Sequence, residues 1–209
     1  MRTLLWAEYK KLRRSSIVWI TVFATVMIAV IVFVEGQGIH DGPDVQYGLK
    51  IVHEGSQYID NVGWYMDEAQ PLATFFVLPA VIALLGSYMI CREEADDTLK
   101  SLRLIPVNEV KLTTAKMIMA FMFSVFIYLL LFSITLLTEA VLHLSDLSAA
   151  LVLKCLKEYL GVGIGVFLAV SPIIAFVARM KKGYWIALVF TEIYSCAGLF
   201  AGMSSELLY

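Results

Sequence analysis

Five long apolar runs constrain this chain more than any other feature of its sequence. They are Ile17 to Val34, Pro71 to Ile90, Met117 to Thr138, Tyr159 to Ala178 and Gly183 to Met203, and Glu192 is the only charged residue inside any of them. A hydrocarbon core about 30 Å thick is crossed by roughly 20 apolar residues in a helix. Lipid offers the backbone no hydrogen-bond partners, so such runs must be helices. A 209-residue chain that is 60% hydrophobic and only 16% charged would expose too much apolar surface in water, whereas a bilayer accepts that surface. The expected fold class is therefore an all-α integral membrane protein with about five transmembrane helices, forming one membrane domain over residues 1–209. The first run follows basic residues but is too long for a cleavable signal, and reads as a span.

The charges orient the spans. Thirteen of the sixteen Lys and Arg residues lie in three stretches: residues 1–16, residues 91–116 and the short turn holding Arg179, Lys181 and Lys182. All three fall on one side if the spans alternate. The loop over residues 35–70 has one basic residue, Lys50, against Glu35, Asp41, Asp44, Glu54, Asp60, Asp67 and Glu68. Basic flanks stay in the cytoplasm, so the N-terminus is expected inside, the acidic loop outside and Tyr209 outside, in a multi-pass plasma-membrane protein. The net charge of −2 points to no nucleic-acid partner. Cys91, Cys155 and Cys196 form no CxxC pair and read as three free thiols.

Residues 1–16 read as an interfacial amphipathic helix, with Leu4, Leu5, Trp6, Tyr9 and Leu12 on an apolar side and Lys10, Lys11, Arg13 and Arg14 towards lipid headgroups. Pro79 and Pro172 are expected to kink the second and fourth spans. Gly161 and Gly165, and Gly198 and Gly202, have the GxxxG spacing that lets helices approach, with packing inside the chain as the expectation. Trp64, Tyr65 and Met66 suit the outer membrane interface. Lys154, Lys157 and Glu158 precede the fourth span and either meet a charged group leaving the path or serve as plain flanks. Glu192 is either a substrate-contacting or gating carboxylate, the default for a charge at that depth, or a neutral carboxyl bonded to Thr191, Ser195 or another helix.

Residues 91–116 are the most informative stretch. An acidic cluster, Glu93, Glu94, Asp96 and Asp97, leads into a short amphipathic helix with Leu99, Leu102 and Leu104. Pro106 breaks that helix, and Asn108 can cap a new one running through Lys111 and Lys116 into the third span. The run of Glu93-Glu94, Thr98-Leu99-Lys100, Ile105-Pro106-Val107 and Lys116 resembles the type-2 ABC exporter permeases. The opening Glu8-Tyr9-Lys10-Lys11-Leu12-Arg13-Arg14-Ser15 is similar to that family's interfacial helix. The small size and loop pattern resemble its bacitracin and lantibiotic resistance subgroup. Two departures stand out: Asp97 occupies a position where the family often has glycine, and five spans are counted where the family usually has six.

The resemblance implies half of an exporter, working with a second permease, identical or homologous, and with two ABC ATPase subunits, in contact with membrane lipid. It also implies a coupling helix at residues 91–116 that receives the ATPase through Glu93, Glu94, Thr98, Leu99 and Pro106. The two glutamates would pair with basic residues of the ATPase or with Lys10, Lys11, Arg13 or Arg14. No GxxxxGK[ST] motif occurs, so ATP and Mg belong to the ATPase, and this chain is expected to bind no cofactor and no metal. Enzyme readings fail on spacing: Glu93-Glu94 has Thr98 where an intramembrane EExxxR protease needs Arg, His53-Glu54 lacks the second histidine of HExxH, and GxSxG is absent. The expected function is export of a peptide antibiotic or other amphipathic compound. The alternative is a non-transporting sensor or immunity protein that binds a peptide at its acidic outer loop.

Overall fold

The computed structural model describes residues 2–37, 50–53, 56–59, 62–95, 109–177 and 184–206. Helix α1, Arg2–Arg13, is followed at once by α2, Ser16–Gln37. The turn closes with the Ser15 amide on the Leu12 carbonyl at 2.9 Å, and Ser15 Oγ accepts the Ile17 amide, a side-chain cap on the new helix. Strands β1, Lys50–His53, and β2, Ser56–Ile59, pair antiparallel with Lys50 opposite Ile59 and His53 opposite Ser56. This hairpin in the acidic loop is the one departure from an all-helical chain among the described residues, and β2 lies beside α2.

The second run is two helices, α3, Trp64–Phe76, and α4, Leu78–Ala95, which meet at 49°. The break falls at Val77, whose φ of −131° leaves the helical region, two residues before Pro79. Proline has no amide to bond the preceding turn, so the kink expected at Pro79 is present. Three further helices follow among the described residues: α5, Glu109–Leu142, α6, Ala149–Val177, and α7, Tyr184–Glu206. By length and composition α2, α5 and α6 can each cross a membrane, and the bent α3–α4 pair is apolar enough to be either a fourth, broken span or a re-entrant loop; α7 contributes a shorter apolar stretch, Trp185–Gly198. At 1.5 Å per residue the 34-residue α5 is about 51 Å long and projects beyond a 30 Å core.

Helix α4 is the core of the bundle and packs on α5, α6 and α7. Leu78, Ile82, Ala83 and Leu85 are fully enclosed, as suits a helix apolar on every side. Helix α7 presents Ala187, Thr191 and Ser195 inward at a spacing of four, and turns Val189, Phe190, Ile193 and Tyr194 outward. Such outward residues face lipid at no cost, so packing and polar contacts between helices must hold the bundle together.

One expectation, on the glycines, is corrected here. Helix α6 runs through Pro172 as one helix. The proline's missing amide would orphan the Leu168 carbonyl four residues back, and Ser171 Oγ donates to that oxygen at 2.9 Å instead. Gly161, Gly165 and Gly198 do not pack inside the chain, because a Cβ on any of them would meet nothing within 4 Å. Gly163, between the first two, is the close approach: a Cβ there would lie 3.2 Å from Tyr128 Cβ. On α1, the inward residues are Leu12 and Glu8, only 3% exposed, whereas Trp6 and Tyr9 are 59% and 51% exposed.

Candidate functional site

The polar groups that tie this bundle together converge around the N-terminal turn of α3, at the end of the molecule opposite α1. Gly63 precedes α3 with φ of +93°, a left-handed conformation that glycine adopts without strain, and it has no side chain to cap the helix. The cap comes from another helix. Glu139, fully buried on α5, accepts the Tyr65 amide at 2.8 Å through Oε1, and its Oε2 lies 2.9 Å from His143 Nδ1 one turn further on. A carboxylate at a helix N-terminus bonds an orphan amide and meets the positive end of the helix dipole. Tyr65 in turn stacks against Phe33 of α2, Trp64 and His143, with ring centroids 5.1–6.4 Å apart. Trp64, Tyr65 and Met66 are therefore buried, which corrects their expected place at the membrane interface; Glu139 draws the start of α3 into the bundle.

Further bonds extend this seam. Tyr159 of α6 donates its hydroxyl to the Met66 carbonyl at 2.6 Å, and Thr74 of α3 shares a hydrogen bond with Tyr128 of α5 at 3.1 Å. Ser124 of α5 donates to the Gly163 carbonyl of α6 at 2.8 Å, at the glycine close approach. Each interhelical bond contributes about 0.6 kcal/mol on average in a membrane. Together they fasten α3 to α5 and α6, and α4 has no comparable bond to α3 across the break at Val77 among the described residues.

The residues singled out from sequence are distributed differently. Lys154 and Glu158 lie on α6 near this seam and pair with each other at 3.7 Å, on an exposed surface where such a pair is worth a few tenths of a kcal/mol. Lys157 is exposed beside them. Asp67, Cys155 and Glu158 bring one ligand atom each to within 4.8 Å of one another, the grouping among the described residues best able to hold a cation; Lys154 already engages Glu158. Glu192 is half-buried on α7, remote in sequence from this seam, and has no hydrogen bond or ion pair among the described residues. Thr191, one of its suggested partners, instead donates to the Ala187 carbonyl at 2.7 Å.

At the opposite end, Lys11 pairs with Glu8 at 3.0 Å and Lys10 Nζ lies 3.9 Å above the Trp6 ring. Arg13 and Arg14 are exposed. The backbone of Glu93 and Glu94 forms the last turn of α4, and their side chains, with Thr98, Leu99 and Pro106, lie outside the described residues. Residues 96–108 join α4 to α5.

Sequence comparison matches residues 4–198 to the ABC-2 family transporter proteins. Over 128 residues the chain is 32% identical to the bacitracin transport permease protein BCRB of Bacillus licheniformis. That stretch covers 60% of this chain and 61% of the relative, so the chain spans less than two thirds of the relative's length. No solved structure matches. With its apolar helices and a family match across nearly its whole length, the chain belongs to the ABC-2 family of transporter proteins and is a membrane permease subunit.

Proposed function

We propose that this chain is the membrane-spanning subunit of an ATP-driven exporter that moves a peptide antibiotic, or a similar amphipathic compound, out of or off the membrane. The family match over residues 4–198 carries this reading, and the likeness to a bacitracin transport permease supports the substrate class. The basic end of the bundle lies in the cytoplasm, in accord with the clustering of Lys and Arg. Two ABC ATPases dock there, against residues 91–116, and a second permease completes the path. ATP and Mg bind the ATPases, whose closure pushes the segment between α4 and α5. Because α5 holds α3 through Glu139 and Tyr65, the push opens or closes the angle at Val77. Transport is coupled if cargo binds the two angles with different affinity.

The test is co-expression with the cognate ABC ATPase and purification through a tag on the permease. Wild type should retain the ATPase and show turnover in lipid, whereas the Glu93→Ala, Glu94→Ala double variant should lose the ATPase or its coupled turnover. Folded wild-type permease that never retains an ATPase would overturn the exporter reading. Equal binding and turnover by both proteins would remove the two glutamates from the docking site and leave the permease standing.

A further inference from the structure

A groove of about 590 Å³ lies between α1 and α5, lined by Trp6, Tyr9, Met119, Met122, Phe123 and Phe126, with Arg13 at its edge. Its walls are the exposed aromatic side of α1 and an apolar side of α5, of which Met122 and Phe126 are more than half exposed. Arg13 has no carboxylate partner among the described residues, and Arg14 is exposed next to it. The acidic residue of α1, Glu8, is buried and engaged by Lys11, and no acidic side chain among the described residues lines the groove.

We infer that this groove holds one anionic phospholipid, with an acyl chain against Met119, Met122, Phe123 and Phe126 and the headgroup phosphate on Arg13. The assignment rests on charge complementarity. A guanidinium lining an apolar groove, with no carboxylate partner among the described residues, matches a phosphate joined to a hydrocarbon chain, and guanidinium binds phosphate in a bidentate fork. Trp6 and Tyr9 are exposed amphipathic rings of the kind that favour the headgroup boundary, and α1, with Lys10, Lys11 and Arg13 in its last turn, is a basic helix of the kind that lies along an anionic leaflet. A zwitterionic lipid offers the same chain but brings a cation towards Arg13. The occupant depends only on the chain being a membrane protein, so the inference stands apart from the exporter reading.

The test is reconstitution of the full-length protein in vesicles of equal phosphatidylglycerol and phosphatidylcholine, followed by gentle detergent extraction and native mass spectrometry of retained lipid. Wild type should keep one phosphatidylglycerol in excess over phosphatidylcholine. Arg13→Gln should lower that preference about five-fold, the effect of one basic residue at an anionic surface. Met122→Trp, at an exposed position that tolerates the larger ring, should fill the groove and lower retention of both lipids. Lys111→Gln removes a charge from the same end of α5 outside the groove and should change neither. A wild-type ratio equal to the vesicle ratio, a retained peptide or other non-lipid occupant, or an equal loss in Lys111→Gln would each overturn the assignment. So would retention unaffected by both groove variants.

Discussion

Removing the Glu139 carboxylate should loosen the whole acidic end of the bundle. The side chain is fully buried and serves two neighbours at once, the Tyr65 amide at 2.8 Å and His143 Nδ1 at 2.9 Å. Glu139→Ala leaves a helix N-terminal amide inside the protein with no acceptor, because Gly63 supplies none. It also takes from His143 its carboxylate. Each buried group left unsatisfied costs about 1–3 kcal/mol. With two such groups the expected loss is about 2–6 kcal/mol, which for a chain of this size lowers the melting temperature by roughly 4–24 °C. Glu139→Gln keeps an oxygen acceptor for Tyr65 and should cost about 1 kcal/mol. Thermal unfolding in one fixed detergent and lipid mixture gives the ranking, and hydrogen exchange across residues 62–70 locates the effect. An alanine variant that melts within about 2 °C of wild type, the range of an uninvolved surface change, would refute the reasoning. So would unchanged exchange at the start of α3.

Other substitutions probe separate parts of the bundle. Ser171→Ala should cost about 1 kcal/mol by exposing the Leu168 carbonyl to lipid, and adding Pro172→Ala should restore it, since residue 172 then has an amide to donate; melting temperatures of the two singles and the double measure the coupling. Gly161→Ala should stabilise by about 0.5–1 kcal/mol, because its Cβ meets nothing, whereas Gly163→Ala presses on Tyr128 and should be the less stable of the two by about 1–3 kcal/mol. Pro79→Ala should restore an amide at the break and narrow the 49° angle. It should lower ATPase turnover in the assembled transporter while leaving ATPase binding intact, and turnover equal to wild type would remove the break from the mechanism.

The apolar runs placed α2, α5 and α6 to within a few residues at one end or the other, because a membrane helix must be nearly continuous in apolar residues. The polar interior was harder to read. Glu139 stands one residue beyond Thr138, where the third run ends, so the apolar runs do not single it out. Its spacing of four from His143, which puts both on one face of a helix, was the available signal. Trp64 and Tyr65 were taken for an interface belt because aromatic composition does not distinguish a ring at the headgroups from one drawn inward, and the partner that draws it inward is 74 residues away. On α1 the expected apolar side divides: Leu12 turns inward together with Glu8, and Trp6 and Tyr9 face outward. Helix α6 continues through Pro172, where the Ser171 hydroxyl takes the place of the missing amide. Docking of an ATPase at Glu93, Glu94, Thr98, Leu99 and Pro106 is proposed from their sequence pattern and from the helices that their segment joins.

The central claim is that the end bearing α1 and residues 91–116 faces the cytoplasm, since only there can an ATPase dock. Helix α5 tests it within one element, because Val110 and Val141 are exposed near its opposite ends. In a background with Cys91, Cys155 and Cys196 replaced, single cysteines at these two positions would be treated with a membrane-impermeant maleimide on intact cells. The account expects Val141→Cys to label directly and Val110→Cys to label only after permeabilisation. The reverse pattern would place the acidic hairpin loop inside and the coupling segment outside, and would contradict the account.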